Sequence, residues 1–517
     1  MSHRSAPRRQ PPVVETEQGS VRGHAAGGVL AFHGLPYAAP PVGPDRWRAP
    51  GRAAPWPGIR NATAPGPIAP QAPSPFDEML FPGRGMAQDE DCLTLNLWTP
   101  SPVGRRPVMV WVHGGGFTLG AGSQPLYDGR RLAQAGDVVV VTLNYRLGAL
   151  GFLRLDGVTG GRLPATGNEG LLDVVAALRW VREHAALFGG DPGNITLFGE
   201  SAGGMIAGTL LAMPAARGLF HRAVLQSGAA HAAAGAAAAD RVAERFLALA
   251  GVRADDPAGL QALPSWRLLA AQQALLAESP RTGLGYLPFR PVVDGSLVPV
   301  PPIAAVRDGA ADGIPMLAGT TADEWTLFAN LNPLHGTLDE RGLRRRLGHL
   351  FRDDEIDALL PLYSDHLAAR GIEPTPAEQL TAILGDAWFR APCERLLDTH
   401  AARGQQAHGY LFDWPARHRR LRACHAIELG FLFGWRDRGF HGDGPAAERL
   451  EAAMQRAWTA FAWDGRPHAA SLGDWSARHP DAPATMRLGA APGVADDGWA
   501  ARAAFWDTLE DDRLGAA

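Results

Sequence analysis

The sequence contains no lysine, so all 49 of its basic residues are arginines, and 53 acidic residues bring the formal net charge to −4. A chain this close to neutral has no excess of positive charge with which to attract nucleic acid or an anionic membrane surface. We therefore expect neither as a partner. The exclusive use of arginine, together with abundant alanine, glycine and proline, is typical of a GC-rich bacterial genome.

Cysteine is also scarce, because Cys92, Cys393 and Cys424 are the three cysteines in 517 residues. An odd, small number in so long a chain does not indicate a disulfide framework. Long apolar runs are missing as well. No segment reaches the ~18 apolar residues of a membrane-spanning helix, and the arginine-containing N-terminus lacks the apolar stretch of a signal peptide. We therefore expect a cytoplasmic protein with no membrane partner.

The apolar residues that are present occur in short runs separated by helical patterns. Continuous apolar runs of this kind are typical of buried strands, and their alternation with helices favours an α/β fold with a mostly parallel, doubly wound sheet. The predicted strands are residues 108–113, 138–143, 195–198, 223–226, 315–319 and 409–412. The predicted helices are residues 170–184, the segment after Ser201, much of 240–278 and 338–404, and 448–462.

One motif stands between a predicted strand and a predicted helix. Residues 199–203 read G-E-S-A-G, which is the G-x-S-x-G pattern of a nucleophile elbow. In such an elbow Ser201 lies on a sharp turn with its hydroxyl exposed, and the small flanking residues allow the turn to be tight. A pattern this short also arises by chance in a glycine-rich chain, so its weight depends on the other parts of a catalytic site.

A second glycine-rich loop supplies candidates for an oxyanion hole. Residues 113–117 read H-G-G-G-F and directly follow the strand predicted at 108–113. Consecutive glycines allow backbone N–H groups to point into a pocket, so Gly115, Gly116 and Ala202 are candidates to bind a developing oxyanion. A plain glycine turn is the alternative, and it is disfavoured by the G-x-S-x-G motif downstream.

Acyl transfer by a serine also needs a base and an acid that orients it. Asp323 and Glu324 follow the strand predicted at 315–319, and the residue types do not decide between them. Among 17 histidines, His425 lies downstream of both carboxylates, which is the chain order of an α/β-hydrolase. His408 and His418 are alternatives, although the first directly precedes a predicted strand and the second lies among arginines.

These motifs occur jointly and in order, and the chain resembles the type-B carboxylesterase/lipase family over roughly residues 13–490. The matching segments are 34–38 (G-L-P-Y-A), 40–43 (P-P-V-G), 46–47 (R-W), 90–96 (E-D-C-L-T-L-N), 113–117, 144–148 (N-Y-R-L-G), 188–192 (F-G-G-D-P), 199–204, 226–228 (Q-S-G), 323–324 and 425–429 (H-A-I-E-L). The resemblance implies an α/β-hydrolase fold with a large, mostly parallel sheet and helical insertions. It implies an α/β-hydrolase domain at 13–490, which leaves a disordered arm at 1–12 and a C-terminal tail at 491–517.

The resemblance also implies roles for individual residues. Ser201 is the expected nucleophile, Glu324 rather than Asp323 the acid, and His425 the base. Gly115, Gly116 and Ala202 are implied as the oxyanion hole, and Arg46 and Glu90 as a structural ion pair.

The chain departs from the family pattern at two places. Ala69 stands where many members have a cysteine that pairs with the position of Cys92, so we expect Cys92 to be a free, buried thiol. The loop 71–89 has no tryptophan, whereas cholinesterases carry one there to hold a quaternary ammonium by cation–π attraction. Choline esters are therefore not the expected substrates.

The expected function is hydrolysis of a small-molecule carboxylic ester through an acyl-enzyme, by a monomer that needs no metal or other cofactor. An acyltransferase, or a specialised lactone or amide hydrolase, would use the same triad and remains an alternative. A non-catalytic binding protein is disfavoured because all the catalytic residues are present. A lipase would need an apolar lid, for which the proline-rich loop 65–86 is the candidate.

Overall fold

The computed structural model describes residues 12–73, 85–495 and 497–514 of the chain. The disordered arm predicted at 1–12 lies outside these residues except for Pro12, and half of the candidate lid at 65–86, residues 74–84, lies outside them too. The strands of the described part are β1 Val13–Thr16, β2 Gly19–Arg22, β3 His24–Ala26, β4 Val29–Pro36, β5 Ile59–Asn61, β6 Thr94–Thr99, β7 Arg106–Val112, β8 Val139–Leu143, β9 Gly190–Glu200, β10 Arg222–Gln226, β11 Ala234–Gly235, β12 Val292–Val293, β13 Met316–Thr321, β14 Ala407–Phe412, β15 Thr485–Leu488 and β16 Gly493–Val494.

The α-helices lie between these strands and after them. In chain order they are α1 Arg130–Gly136, α2 Gly148–Gly151, α3 Glu169–His184, α4 Ala202–Leu210, α5 Ala236–Ala250, α6 Pro257–Gln261, α7 Ser265–Thr282, α8 Pro302–Arg307, α9 Thr326–Asn330, α10 Glu340–Leu347, α11 Asp353–Ala369, α12 Pro376–Gly385, α13 Ala391–Ala402, α14 Leu429–Leu432, α15 Pro445–Asp464 and α16 Trp499–Trp506.

Most of the strands form one mixed sheet. Within the described residues it has eleven strands in the order β16-β15-β14-β13-β10-β9-β7-β8-β6-β4-β3. The central run from β15 to β8 is parallel, and the antiparallel pairs lie at the two edges. The prediction of a mostly parallel sheet is therefore confirmed.

Both faces of the sheet are buried, which is why its central strands read as continuous apolar runs. Side chains alternate between the faces with a period of two residues. On β7, Val110 packs in the core on one face, and Trp111 packs in the core on the other. Leu197 and Phe198 on β9 divide between the same two cores.

The observed elements extend beyond the predicted runs where polar or small residues belong to a strand. The run predicted at 195–198 is the inner part of β9, which begins at Gly190 and ends at Glu200. The helical segment predicted at 338–404 is divided into α10, α11, α12 and α13, and one π-helical turn at Asp386–Arg390 joins the last two.

The C-terminal segment packs onto the rest of the molecule. Gly493 and Val494 pair with β15, and Trp506 and Leu514 are buried in the larger of the two cores. No helix in the described part of the chain is long and apolar enough to cross a membrane.

Two further expectations are confirmed near the start of the chain. Arg46 forms an ion pair with Glu90, in which Nε donates to Oε2 at 2.7 Å, and its Nη1 donates to the carbonyl oxygens of Gln261 and Leu263. Cys92 is a free and fully buried thiol.

Candidate active site

A pocket of about 440 Å³ opens at the carboxyl ends of the central strands. This is the edge at which open α/β sheets bind their ligands. Its described lining is largely apolar and includes Ser201 and His425. Its lining also includes Gly114, Gly115, Gly116, Glu200, Ala202, Phe328, Asn332, His335, Arg346, Leu380, Leu384, Trp388 and Phe389.

Ser201 occupies a strained turn between β9 and α4. Its φ of 55° and ψ of −124° lie in a region that residues with a side chain rarely adopt. The Ser201 N–H donates to the carbonyl oxygen of Gln226 on the neighbouring strand at 2.8 Å, which fixes the turn. A Cβ atom on Gly203 would lie 2.0 Å from the Val112 carbonyl oxygen, so only glycine allows the helix to approach the sheet so closely.

The glycine loop after β7 lies beside this turn. Gly115, Gly116 and Ala202 all line the pocket, and no hydrogen bond within the described residues uses their N–H groups. Three backbone donors without a hydrogen bond to a described residue therefore belong to residues that line the same pocket as Ser201. Ala202 begins α4, where the first N–H groups of a helix have no partner within the helix.

His113 holds the glycine loop in place. Its Nδ1 donates to the Gly114 carbonyl oxygen at 2.8 Å, and its ring stacks on Tyr145, whose hydroxyl donates to the His113 carbonyl oxygen at 2.9 Å. Burial lowers the pKa of His113 to about 4. A neutral, buried imidazole is a structural element of the loop rather than a base.

Glu324 lies against His425, and Asp323 does not. Glu324 Oε2 is 2.6 Å from His425 Nδ1. Glu324 Oε1 accepts from the Thr321 N–H at 2.7 Å and from the Ser227 hydroxyl at 2.6 Å. These contacts occupy both carboxylate oxygens and fix their orientation.

Asp323 points the other way and forms two ion pairs. Its Oδ2 is 2.9 Å from Arg370, and its Oδ1 is 3.0 Å from Arg422. The residue types alone did not decide between Asp323 and Glu324. Their tertiary positions distinguish them, because only Glu324 contacts His425.

The imidazole of His425 is held between two carboxylates and two aromatic rings. Its Nε2 is 2.9 Å from Glu200 Oε1, on the edge of the ring opposite to Glu324. The rings of Phe328 and Phe389 lie with their centroids 5.2 Å and 4.7 Å from that of His425. Phe389 reaches this position from the π-helical turn, a type of irregularity that is frequent at functional sites.

The charges around His425 decide its protonation. Burial opposes a charged imidazole, but the carboxylates of Glu200 and Glu324 outweigh burial and raise the pKa of His425 well above its ordinary value. The alternatives His408 and His418 do not line the pocket. His408 lies on β14, and burial lowers its pKa to about 4.

The Ser201 hydroxyl makes no hydrogen bond to any described residue. Nucleophile–base contacts are often loose without substrate and tighten in the reacting complex. Ser201 is half-buried, and it lines the same pocket as His425.

Three residues at the site had no role in the sequence interpretation. Glu200 was part of the G-x-S-x-G motif, and Ser227 belonged to the segment 226–228 that carried the resemblance. Glu428 followed His425 in a matching segment, and its Oε1 accepts from Gln226 Nε2 at 3.0 Å. Burial, and then the charges of Glu200 and Glu324, raise the pKa of Glu428 to about 8. Glu200, Ser227 and Glu428 all lie in segments that match the family, and this position in the sequence could have identified them as site residues.

Within residues 12–73, 85–495 and 497–514, no group of three or more His, Cys, Asp or Glu side chains is arranged to hold a metal ion. The three cysteines are buried, and burial raises the pKa of each thiol. None of them is a reactive thiolate at neutral pH.

Comparison with known proteins shows the family of the chain. Residues 10–506 match the model of the carboxylesterase family. The chain is 39% identical to the para-nitrobenzyl esterase of Bacillus subtilis, over 92% of this chain and 94% of that protein. It is 36% identical to the phenmedipham hydrolase of Pseudarthrobacter oxydans, over 92% of this chain and 95% of that protein.

Solved structures give the same result. A carboxylesterase of Geobacillus stearothermophilus superposes with a TM-score of 0.84 at 39% identity, and the alignment covers 96% of this chain and 99% of that one. Because the family match spans nearly the whole chain and the fold coincides, the chain belongs to the carboxylesterase family and is an ester-hydrolysing serine hydrolase of the α/β-hydrolase fold.

Proposed function

We propose that the protein hydrolyses carboxylic esters through an acyl-enzyme on Ser201, with His425 as general base and Glu324 as the acid that orients it. Ser201 Oγ attacks the ester carbonyl carbon while His425 Nε2 takes the hydroxyl proton. The carbonyl π bond opens, and the negative charge collects on the former carbonyl oxygen.

The unused N–H groups of Gly115, Gly116 and Ala202 are the donors for this oxyanion. They belong to a turn and a helix N-terminus that are already fixed, so they need no reorganisation as the charge develops. Loss of one such donor typically lowers the rate about 10²- to 10³-fold.

Collapse of the tetrahedral intermediate breaks the bond to the alcohol oxygen, which receives the proton from His425. Water then attacks the acyl-enzyme, His425 takes a proton from it, and the acid leaves with Ser201 restored. Glu324 fixes the tautomer of His425 and stabilises its charged form. Glu200 adds a second carboxylate that favours the same charged form.

The observation that carries the proposal is the contact of 2.6 Å between Glu324 Oε2 and His425 Nδ1. Nε2, on the opposite edge of the ring, lies 2.9 Å from Glu200, which lines the pocket together with Ser201 and His425. A general base for a serine requires a buried carboxylate on Nδ1 and an Nε2 on the side of the ring where the nucleophile reacts.

The experiment is hydrolysis of 4-nitrophenyl esters, from acetate to decanoate, by the wild-type protein and by Ser201→Ala. We expect turnover by the wild type with an optimum chain length set by the pocket, and a fall of kcat by several orders of magnitude in the variant. Ser123→Ala, outside the proposed machinery, is the matched control. A folded wild-type protein that hydrolyses none of these esters would contradict the proposal.

A further inference from the structure

One wall of the pocket carries an arginine whose side chain has no partner among the residues that the structure describes. Arg346 lies near the end of α10, is half-buried and lines the pocket together with Asn332 and His335. In the described part of the chain its guanidinium forms neither a salt bridge nor a hydrogen bond. Arg344, two positions away, pairs with Glu340 and Asp357.

Neighbouring groups do not neutralise Arg346. Burial lowers the pKa of His335, and the charge of Arg346 lowers it further, while Nε2 of His335 donates to the Ala377 carbonyl oxygen at 3.0 Å. This histidine is therefore neutral. Glu378, whose charge also reaches His335, is 2.7 Å from Arg422 and belongs to that ion pair.

The pocket holds one other Asp, Glu or Arg side chain among its described lining residues. That residue is Glu200, which is 2.9 Å from His425 Nε2 and compensates the imidazole. Leu380, Leu384 and Trp388 give the remaining wall an apolar character. A guanidinium in such surroundings loses part of its hydration without gaining a counter-charge.

An unpaired guanidinium beside apolar walls attracts anions more strongly than it would in bulk water. Its planar fork of N–H donors matches a carboxylate in a bidentate geometry. The pocket of about 440 Å³ has room for both an ester and a second functional group several bonds away.

We propose that Arg346 recognises a free carboxylate on the substrate, remote from the ester that is cleaved. The substrate class is an ester that carries one additional ionised carboxylate, such as a half-ester of a dicarboxylic acid. The inference rests on the proposed function because it assigns a substrate class to the same pocket. Arg346 contributes to binding and takes no part in the proton transfers.

The test compares charged and neutral esters of matched length in two series. In the acyl series, mono-4-nitrophenyl esters of dicarboxylic acids with four to ten carbons are paired with 4-nitrophenyl esters of the corresponding monocarboxylic acids. In the alcohol series, acetate esters of ω-hydroxy acids are paired with simple alkyl acetates. Together the two series show which arm of the substrate reaches Arg346.

The variants are Arg346→Gln, which removes the charge, and Arg345→Gln, an exposed neighbour on α10 that does not line the pocket. One charge-assisted hydrogen bond corresponds to a preference of about 10- to 100-fold. We therefore expect the ratio of kcat/KM for charged over neutral esters to fall by about that factor in Arg346→Gln, in at least one series and at its best chain length. Arg345→Gln should leave the ratio unchanged, and Arg346→Lys should restore part of it.

A second measurement does not depend on turnover. Calorimetric binding of monomethyl suberate, which is charged, and of dimethyl suberate, which is neutral, to Ser201→Ala should favour monomethyl suberate, and Arg346→Gln in that background should remove the preference. Equal effects of Arg346→Gln on charged and neutral ligands would overturn the inference. If neutral esters are hydrolysed by way of Ser201 but no charge preference depends on Arg346, this inference fails while the proposed function stands. If no ester is hydrolysed but binding of monomethyl suberate depends on Arg346, the proposed function fails, and Arg346 is a carboxylate-binding residue of this pocket with no hydrolysed substrate.

Discussion

His425 lies between two carboxylates, with Glu324 2.6 Å from Nδ1 and Glu200 2.9 Å from Nε2. The two carboxylates differ in their other contacts. Glu324 accepts from Ser227 and from the backbone, whereas Glu200 faces the pocket. This asymmetry separates a carboxylate that orients the imidazole from one that adjusts its charge. The following predictions depend on it and on the surrounding fold.

Glu200→Gln should move the acid limb of the pH profile of kcat/KM to lower pH. The reaction needs a neutral imidazole, so activity falls as pH drops through the pKa of His425, which the two carboxylates raise. Removal of one negative charge lowers that pKa and extends activity into more acidic solution. The measurement is the normalised profile from pH 4.5 to 9, with the exposed Glu244→Gln as control. Superimposable profiles would refute the assignment.

Glu324→Gln should reduce activity, whereas Asp323→Asn should reduce stability. The first removes the carboxylate on His425 Nδ1, and we expect kcat to fall about 10³- to 10⁴-fold, in the range found for triad acids. The second removes the partner of Arg370 and Arg422. We expect it to destabilise the fold by about 1–3 kcal/mol while kcat stays within tenfold.

Steady-state kinetics measures kcat, and urea unfolding measures the free energy of unfolding, for Glu324→Gln and for Asp323→Asn. A large loss of kcat in folded Asp323→Asn, with Glu324→Gln active, would reverse the assignment.

Glu428→Gln should flatten the dependence of stability on pH. The carboxyl has an ordinary pKa of 4.5 in the unfolded chain and a pKa of about 8 in the folded protein. Between these values the unfolded chain releases the proton and the folded protein keeps it, so stability falls as pH rises through this window. The variant lacks this contribution. Urea unfolding at pH 5 and at pH 8.5 measures this change in the free energy of unfolding, with the exposed Glu448→Gln as control. The same change between the two pH values in the wild type and in Glu428→Gln would contradict the prediction.

Gly203→Ala should disrupt the turn at Ser201. Its Cβ would lie 2.0 Å from the Val112 carbonyl oxygen, so either the strand or the helix must shift. We expect a loss of more than about 3 kcal/mol of stability or an insoluble product, because overpacking against backbone cannot relax easily. Gly235→Ala, where no atom lies within 4 Å of the added carbon, should be tolerated. Thermal unfolding and the esterase assay compare them, and a stable, fully active Gly203→Ala would show that the turn can relax.

Much of the scaffold followed from local patterns. The buried runs gave the central parallel strands because a strand covered on both faces has an apolar residue at nearly every position. Element ends were less predictable. Asn194 and Gly193 belong to β9 although neither favours a strand, because pairing with neighbouring strands outweighs local propensity.

The sequence by itself determined the class of protein, the turn that carries Ser201, the glycine loop and the set of candidate acids and bases, because these depend on residue type and short spacing. The tertiary structure alone decided which candidates meet. Glu324 and Asp323 are adjacent in the chain but face opposite directions, and Glu200 and His425 are joined across 225 positions of sequence. Likewise, Arg346 resembles its neighbours Arg344 and Arg345 in sequence. Only packing determines that it lines the pocket without a counter-charge from any described residue, because burial and charge pairing depend on the elements that surround a side chain.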